Sequence, residues 1–213
     1  MKKVAILIDG EWFRIVISDH LGKALKQGVT ADVMYKNACL AIHPKEEEIF
    51  KIFYYDCEPH SGKATNPVSN LTVDCTPAPK LSARMRFFSE FGKKPLVALR
   101  RGVVRKRNWA LTRSYQKKLL QGGQTPPPTA NDVTLVLTQK GVDMRIGIDV
   151  ATLALKQQVD RVIIISGDQD MIPAMKLARR EGVQVGLVEI PGRPLRPDMV
   201  EDADFVRAVT PKP

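Results

Sequence analysis

The fold is decided by Arg161-Val162-Ile163-Ile164-Ile165-Ser166-Gly167-Asp168-Gln169-Asp170. Its β-branched run, closed at once by Gly and Asp, reads as a strand buried on both faces that ends in a tight turn. The same grammar stands at Val4-Ala5-Ile6-Leu7-Ile8, followed by Asp9-Gly10. Each strand leads into helical spacing. Phe13, Val16, Ile17, Leu21 and Leu25 predict a helix over 12–26, stopped at Gly28, and a second helix is expected over 171–181, stopped at Gly182. Further helices are predicted over 32–42, 81–91 and 143–158, and further strands over 49–56, 96–99, 183–189 and 205–209; 133–137 reads as a short strand or an extended lead-in, and Val103-Val104 as a candidate extension of the sheet edge. Strands alternating with helices argue for an α/β fold, a Rossmann-like parallel sheet with helices on both faces.

In an open parallel sheet the carboxyl ends of the strands form one rim, where ligands bind. Asp9, Asp168 and Asp170 follow such ends, and Lys140-Gly141-Val142-Asp143 places Asp143 at a helix start beside the same rim. Converging carboxylates repel one another unless a cation lies among them, and oxygen donors suit Mg²⁺ or Mn²⁺. Each acid also has a plainer reading. Asp143 and Asp168 suit N-cap positions, Asp9 can close a turn, and Asp170 lies where a helix dipole favours an acid. Asp149, six residues past Asp143, points to another side of the helix, and Arg145 stands one turn before it as a partner.

The chain has 213 residues, 44% hydrophobic and 26% charged, ordinary for a globular protein. No apolar run approaches the roughly 20 residues that cross a bilayer, and the start lacks a signal-peptide pattern. A cytoplasmic location is the default expectation. Three cysteines without a C-x-x-C pair fit a reducing compartment, and three histidines lack metal-site spacing. The net charge is +10, concentrated in residues 81–120, which hold twelve Lys/Arg and one acid, Glu90. A basic block beside an acidic rim suggests a polyanion held by one region and acted on by the other; a solvated face is the plainer account.

The motifs, taken together, resemble a known family. Strand-Asp9-Gly10, Tyr54-Tyr55-Asp56 ending the second strand, Lys140-Gly141-Val142-Asp143 with Asp149 six on, and Ser166-Gly167-Asp168-Gln169-Asp170 are similar to the NYN-domain proteins, nearest the LabA-like branch. These are PIN-like, metal-dependent ribonucleases. The resemblance implies a single NYN/PIN-like domain over 1–213; the basic segment at 81–120 is read from charge, and the expected flexible loops at 57–80 and 121–132 from their prolines, glycines and small polar residues. The resemblance also implies that Asp9, Asp143, Asp168 and Asp170 are the catalytic and metal-binding acids, with Mg²⁺ or Mn²⁺ as cofactor and Ser166 shaping the turn; Asp149 and Glu11 are read from their positions alone, Asp149 as a supporting or structural residue and Glu11 as a supporting one. Arg100, Arg101, Arg105, Lys106, Arg107 and Trp109 combine cations with an aromatic and are expected to hold RNA, single-stranded for preference, with no role for a membrane. A homodimer is compatible with the sequence. One position departs from the pattern: Trp12 stands where the family often carries Asn after Asp-Gly-x. Indole cannot accept a hydrogen bond, so an RNA-binding protein of the same fold without turnover is the alternative. Trp12 itself reads as a core aromatic or as a base-stacking surface. A phosphatase is disfavoured because Glu11 occupies the second position of an Asp-x-Asp pair.

Overall fold

The computed structural model describes residues 1–25, 28–122 and 125–213, apart from the side chain of Arg107. The expected helix end at Lys26 and part of the expected 121–132 loop (Gly123 and Gln124) lie outside the described residues. By its internal contacts the chain forms two compact units. Unit 1 holds Met1–Asp56, Arg86–Gly102 and Gly141–Pro213, and unit 2 holds Cys57–Met85 and Val103–Lys140.

Unit 1 is the predicted α/β fold. Strands β1 (Lys2–Asp9), β2 (Glu47–Cys57), β7 (Arg161–Ile165), β8 (Gln184–Glu189) and β9 (Phe205–Ala208) lie in the order β2-β1-β7-β8-β9. The ladders β1·β2, β1·β7, β7·β8 and β8·β9 are all parallel. The continuous apolar runs are explained by burial on both sides: Val4 to Ile8 are at most 1% exposed and Val162 to Ile165 at most 2%. Alternation divides them between two layers. Val4, Ile6, Ile8, Ile52, Tyr54, Ile163 and Ile165 pack with Phe13, Val16 and Ile17 of α1 (Gly10–Leu21), Met34 and Ala38 of α2 (Ala31–Cys39), and Phe87, Phe88 and Phe91 of α3 (Ala78–Phe91). Tyr55, on the opposite side, reaches α5 (Val142–Leu155) through a 2.8 Å hydrogen bond from its hydroxyl to Asp149. Beside α5 lies α6 (Ile172–Arg180), and α7 (Pro197–Glu201) precedes β9.

Unit 2 departs from expectation. The segment read as a loop carries a two-stranded antiparallel ribbon, β3 (Lys63–Thr65) with β4 (Thr72–Asp74). The strand expected over four residues is β5 (Val97–Leu111), whose second half pairs antiparallel with β6 (Val133–Lys140). A helix, α4 (Arg113–Leu120), lies between them, capped by the Thr112 hydroxyl, which accepts the Tyr115 amide at 3.4 Å.

Candidate active site

The parallel ladders fix which residues meet at the carboxyl rim of unit 1. Asp9 ends β1 level with Tyr55 of β2, and Ile8 is level with Ile165 of β7. Asp56, Asp9 and the Ser166–Asp168 turn therefore close three adjacent strands. Asp9 caps α1, its Oδ1 accepting the Trp12 amide at 3.1 Å. The Ser166 hydroxyl, buried, lies 3.4 Å from Asp9 Oδ2 and accepts the Asp168 amide at 3.1 Å. Asp168 Oδ1 in turn accepts the Asp170 amide at 3.0 Å, capping the short turn Gln169–Met171. Each carboxylate thus uses one oxygen on local backbone.

Asp143 lies in the first turn of α5 rather than at its cap. The cap is Gly141, whose left-handed φ of 80° suits glycine. Glycines also let neighbours approach at the rim. A Cβ on Gly10 would lie 2.3 Å from the Tyr54 ring, and one on Gly167 would lie 2.5 Å from Trp12 Nε1. Trp12 is half-buried against the core, with its indole edge on the Gly167 turn. It is a packing residue of the rim.

The electrostatics show how the acids group. Burial pushes Asp9 up to about 6, opposed by the Trp12 amide and reinforced by the charges of Asp56, Glu11 and Asp168. Asp143, exposed as a residue, is also raised, by partial desolvation of its carboxyl group and by the charges of Asp168 and Asp170. Asp168 is the acid felt by both. Among the described residues, no three His, Cys, Asp or Glu side chains stand close enough to grip one ion together. The donor chemistry still fits a hard divalent cation. Mg²⁺ commonly binds through one or two carboxylates and keeps several waters, and a desolvated carboxyl group repelled by its neighbours gains from such a counter-charge.

Asp149 stands apart from this group. Its Oδ2 accepts Arg100 Nε at 2.7 Å and the Tyr55 hydroxyl at 2.8 Å, so Arg100 is its partner in the structure. Both neighbours answer to it: Tyr55 is raised by burial and then by the Asp149 charge, and Arg100 is raised by its hydrogen bond to Asp149. Asp56 closes the Tyr54-Tyr55-Asp56 motif but was given no site role from sequence. It is 3% exposed, accepts the Tyr54 hydroxyl at 2.9 Å and acts on Asp9. Its signals were that motif and its position at the end of the strand beside β1.

The basic residues divide between the units. In unit 1, Arg100 lies 4.9 Å over the Phe53 ring and Arg101 5.4 Å over Phe88. In unit 2, Arg105 and Lys106 are exposed, Lys106 donates to the Lys63 carbonyl at 3.2 Å, and Trp109 is half-buried opposite Leu135.

Comparison with known proteins gives a family. Residues 80–209 match the NYN domain. No curated protein matches the chain. The structure is similar to that of a protein of unknown function from Vibrio parahaemolyticus, with 17% identity over 97% of this chain and 92% of that one, and a TM-score of 0.49. Among the described residues, no helix is long and apolar enough to cross a membrane.

Proposed function

Since this chain belongs to the NYN-domain family, a family of PIN-like nucleases, we propose that it is a metal-dependent ribonuclease of the LabA-like branch. The carrying observation is the meeting of Asp9, Asp56 and the Ser166–Asp168 turn at the ends of three adjacent parallel strands, with the Ser166 hydroxyl linking Asp9 at 3.4 Å to the Asp168 amide at 3.1 Å. Mg²⁺ or Mn²⁺, when bound, supplies charge stabilisation and an activated water for attack on the phosphodiester. The chain's own residues prepare that rim. The Trp12 amide and the Ser166 hydroxyl orient Asp9, and the Asp170 amide orients Asp168. Asp143 and Asp170 stand exposed on the solvent side, open to a metal or its waters. The cations of β5 draw a single-stranded RNA backbone to the protein. Three free thiols suit a reducing, cytoplasmic setting.

Incubation of the full chain with labelled single-stranded RNA and Mn²⁺ tests this reading. Cleavage is expected, with a loss of at least about 100-fold in Asp168→Asn, since the shared acid both supplies charge and orients its neighbours. Equal cleavage by wild type and Asp168→Asn would sink it. A second reading, RNA binding without turnover, draws on one observation, the lack of a three-ligand group among the described residues. It predicts tight binding and intact RNA under the same conditions.

A further inference from the structure

Unit 2 contains a groove of about 460 Å³ that the rim chemistry does not use. Its lining is mixed: apolar from Ala64, Pro67 and Leu135, polar from Thr65, Lys106 and Asn108, with Trp109 beside them. The groove exists because of an irregularity in β5. Lys106 pairs with Leu137 and Trp109 with Leu135, so Arg107 and Asn108 together stand against Val136 alone. In a regular strand, residues three apart face opposite sides. The bulge removes that alternation and brings Lys106, Asn108 and Trp109 to one groove.

The opposite wall is fixed as well. Asn66 is buried, donates to the Ala130 carbonyl at 3.1 Å and accepts the Val68 and Ser69 amides at 2.9 and 3.2 Å, which holds Pro67 in place. Lys106 is tied to β3 through the Lys63 carbonyl.

An indole, an amide and an ammonium set among apolar side chains match one ligand class: a flat heteroaromatic base carrying a phosphate. The indole stacks on the base, the amide meets its polar edge, and the ammonium meets the phosphate. The surrounding charge selects a polyanion, because unit 2 holds ten Lys/Arg against three Asp/Glu. We infer that the β5 bulge builds a nucleobase subsite that takes one base of a single-stranded RNA. This rests on the ribonuclease reading only for its choice of RNA as the strand.

The test is binding by the full chain in EDTA, so that cleavage plays no part. The sequence has two tryptophans, and Trp12→Phe leaves Trp109 as the sole indole reporter. A ten-nucleotide single-stranded RNA should quench that fluorescence. An abasic oligomer of equal length and charge should not, and AMP should do so only at far higher concentration. Trp109→Ala should weaken binding of labelled RNA roughly five- to a hundred-fold, the range for loss of one base–aromatic stack. Trp109→Phe keeps a ring in place and should weaken it much less; if the alanine variant fails to fold, the comparison of RNA with the abasic oligomer decides the matter. The subsite is overturned if the abasic oligomer quenches equally, if AMP binds as tightly as the decamer, if folded Trp109→Ala matches its parent, or if the RNA does not bind. Cleavage with a silent Trp109 would remove the subsite and keep the nuclease; quenching without cleavage in Mn²⁺ would do the reverse.

Discussion

Tyr54 and Trp12 fill the space that glycine leaves at the two rim turns, and this makes both glycines testable. Tyr54 is fully buried, packed at a tilt against Phe87 and Phe91 with ring centroids 5.7 and 4.8 Å away. It cannot swing aside from a Cβ on Gly10. Gly10→Ala should therefore cost about 1–3 kcal/mol, the usual penalty of overpacking, and lower the melting temperature by roughly 2–12 °C for a chain of this size. Gly167→Ala should cost less, and its cost should shrink further in a Trp12→Ala background, because the two changes share one contact. Additive losses in that double-mutant cycle would show that the indole does not define the turn. The rim acids were legible for the same local reason. Asp9 and Asp168 each follow an apolar run and touch a glycine, a pattern visible in a line of text. Asp56 was not legible as a partner of Asp9, because only the pairing of β1 with β2 brings them side by side.

At the scale of elements, the opposite end of the sheet is tied by Glu47. Its carboxylate lies at the start of β2 and accepts Arg161 of β7 at 2.5 Å, Arg207 of β9 at 2.6 and 2.7 Å, and the His43 amide at 2.9 Å. Burial alone would raise its pKa. The hydrogen bonds from Arg207, the His43 amide and Arg161 outweigh burial and hold it down to about 2, against a usual 4.5. A depressed acid stabilises the fold above its unfolded pKa and loses that contribution as pH falls through the folded one. Stability on the order of 3 kcal/mol should thus be present above pH 4.5 and erode toward pH 2. Urea midpoints at pH 6, 4 and 3 measure this. Glu47→Gln should be less stable by about 3–5 kcal/mol at pH 6, with two arginines left short of a charge, and should show a flatter acid limb. Parallel pH curves for the two proteins would rule the account out. Element by element, sequence reading succeeded where apolar runs mark burial on both faces. It shortened β5 because Arg100 to Arg107 interleave cations with few apolar residues, so no period of two emerges. It missed the β3–β4 ribbon because three-residue strands between prolines carry little pattern.

Across the whole molecule, the +10 charge was plain from composition, yet its distribution depends on the fold. The basic stretch 81–120 is contiguous in sequence and is divided between the two units. Three of its five unit 1 cations pair with acids: Lys94 with Asp32, Arg86 with Glu90 at 3.9 Å, and Arg100 with Asp149. The excess of cations over acids is largest in unit 2, and there a polyanion gains most from counterion release. Binding of single-stranded RNA in EDTA should therefore fall steeply with salt. Each neutralised phosphate contributes a slope of about −0.7, so four contacts would cut affinity roughly fifty-fold between 50 and 200 mM salt. Replacing Arg105 and Lys106 with Gln should flatten the log–log slope by about 0.7 for each cation that meets a phosphate. Replacing Arg86 and Lys94, whose charges are already answered by acids, should leave it almost unchanged. Fluorescence anisotropy of a labelled strand across that salt range separates the cases. A slope near zero, or an equal change from both pairs of substitutions, would show that unit 2 does not carry the polyanion and that the charge of β5 serves only to keep the protein dispersed.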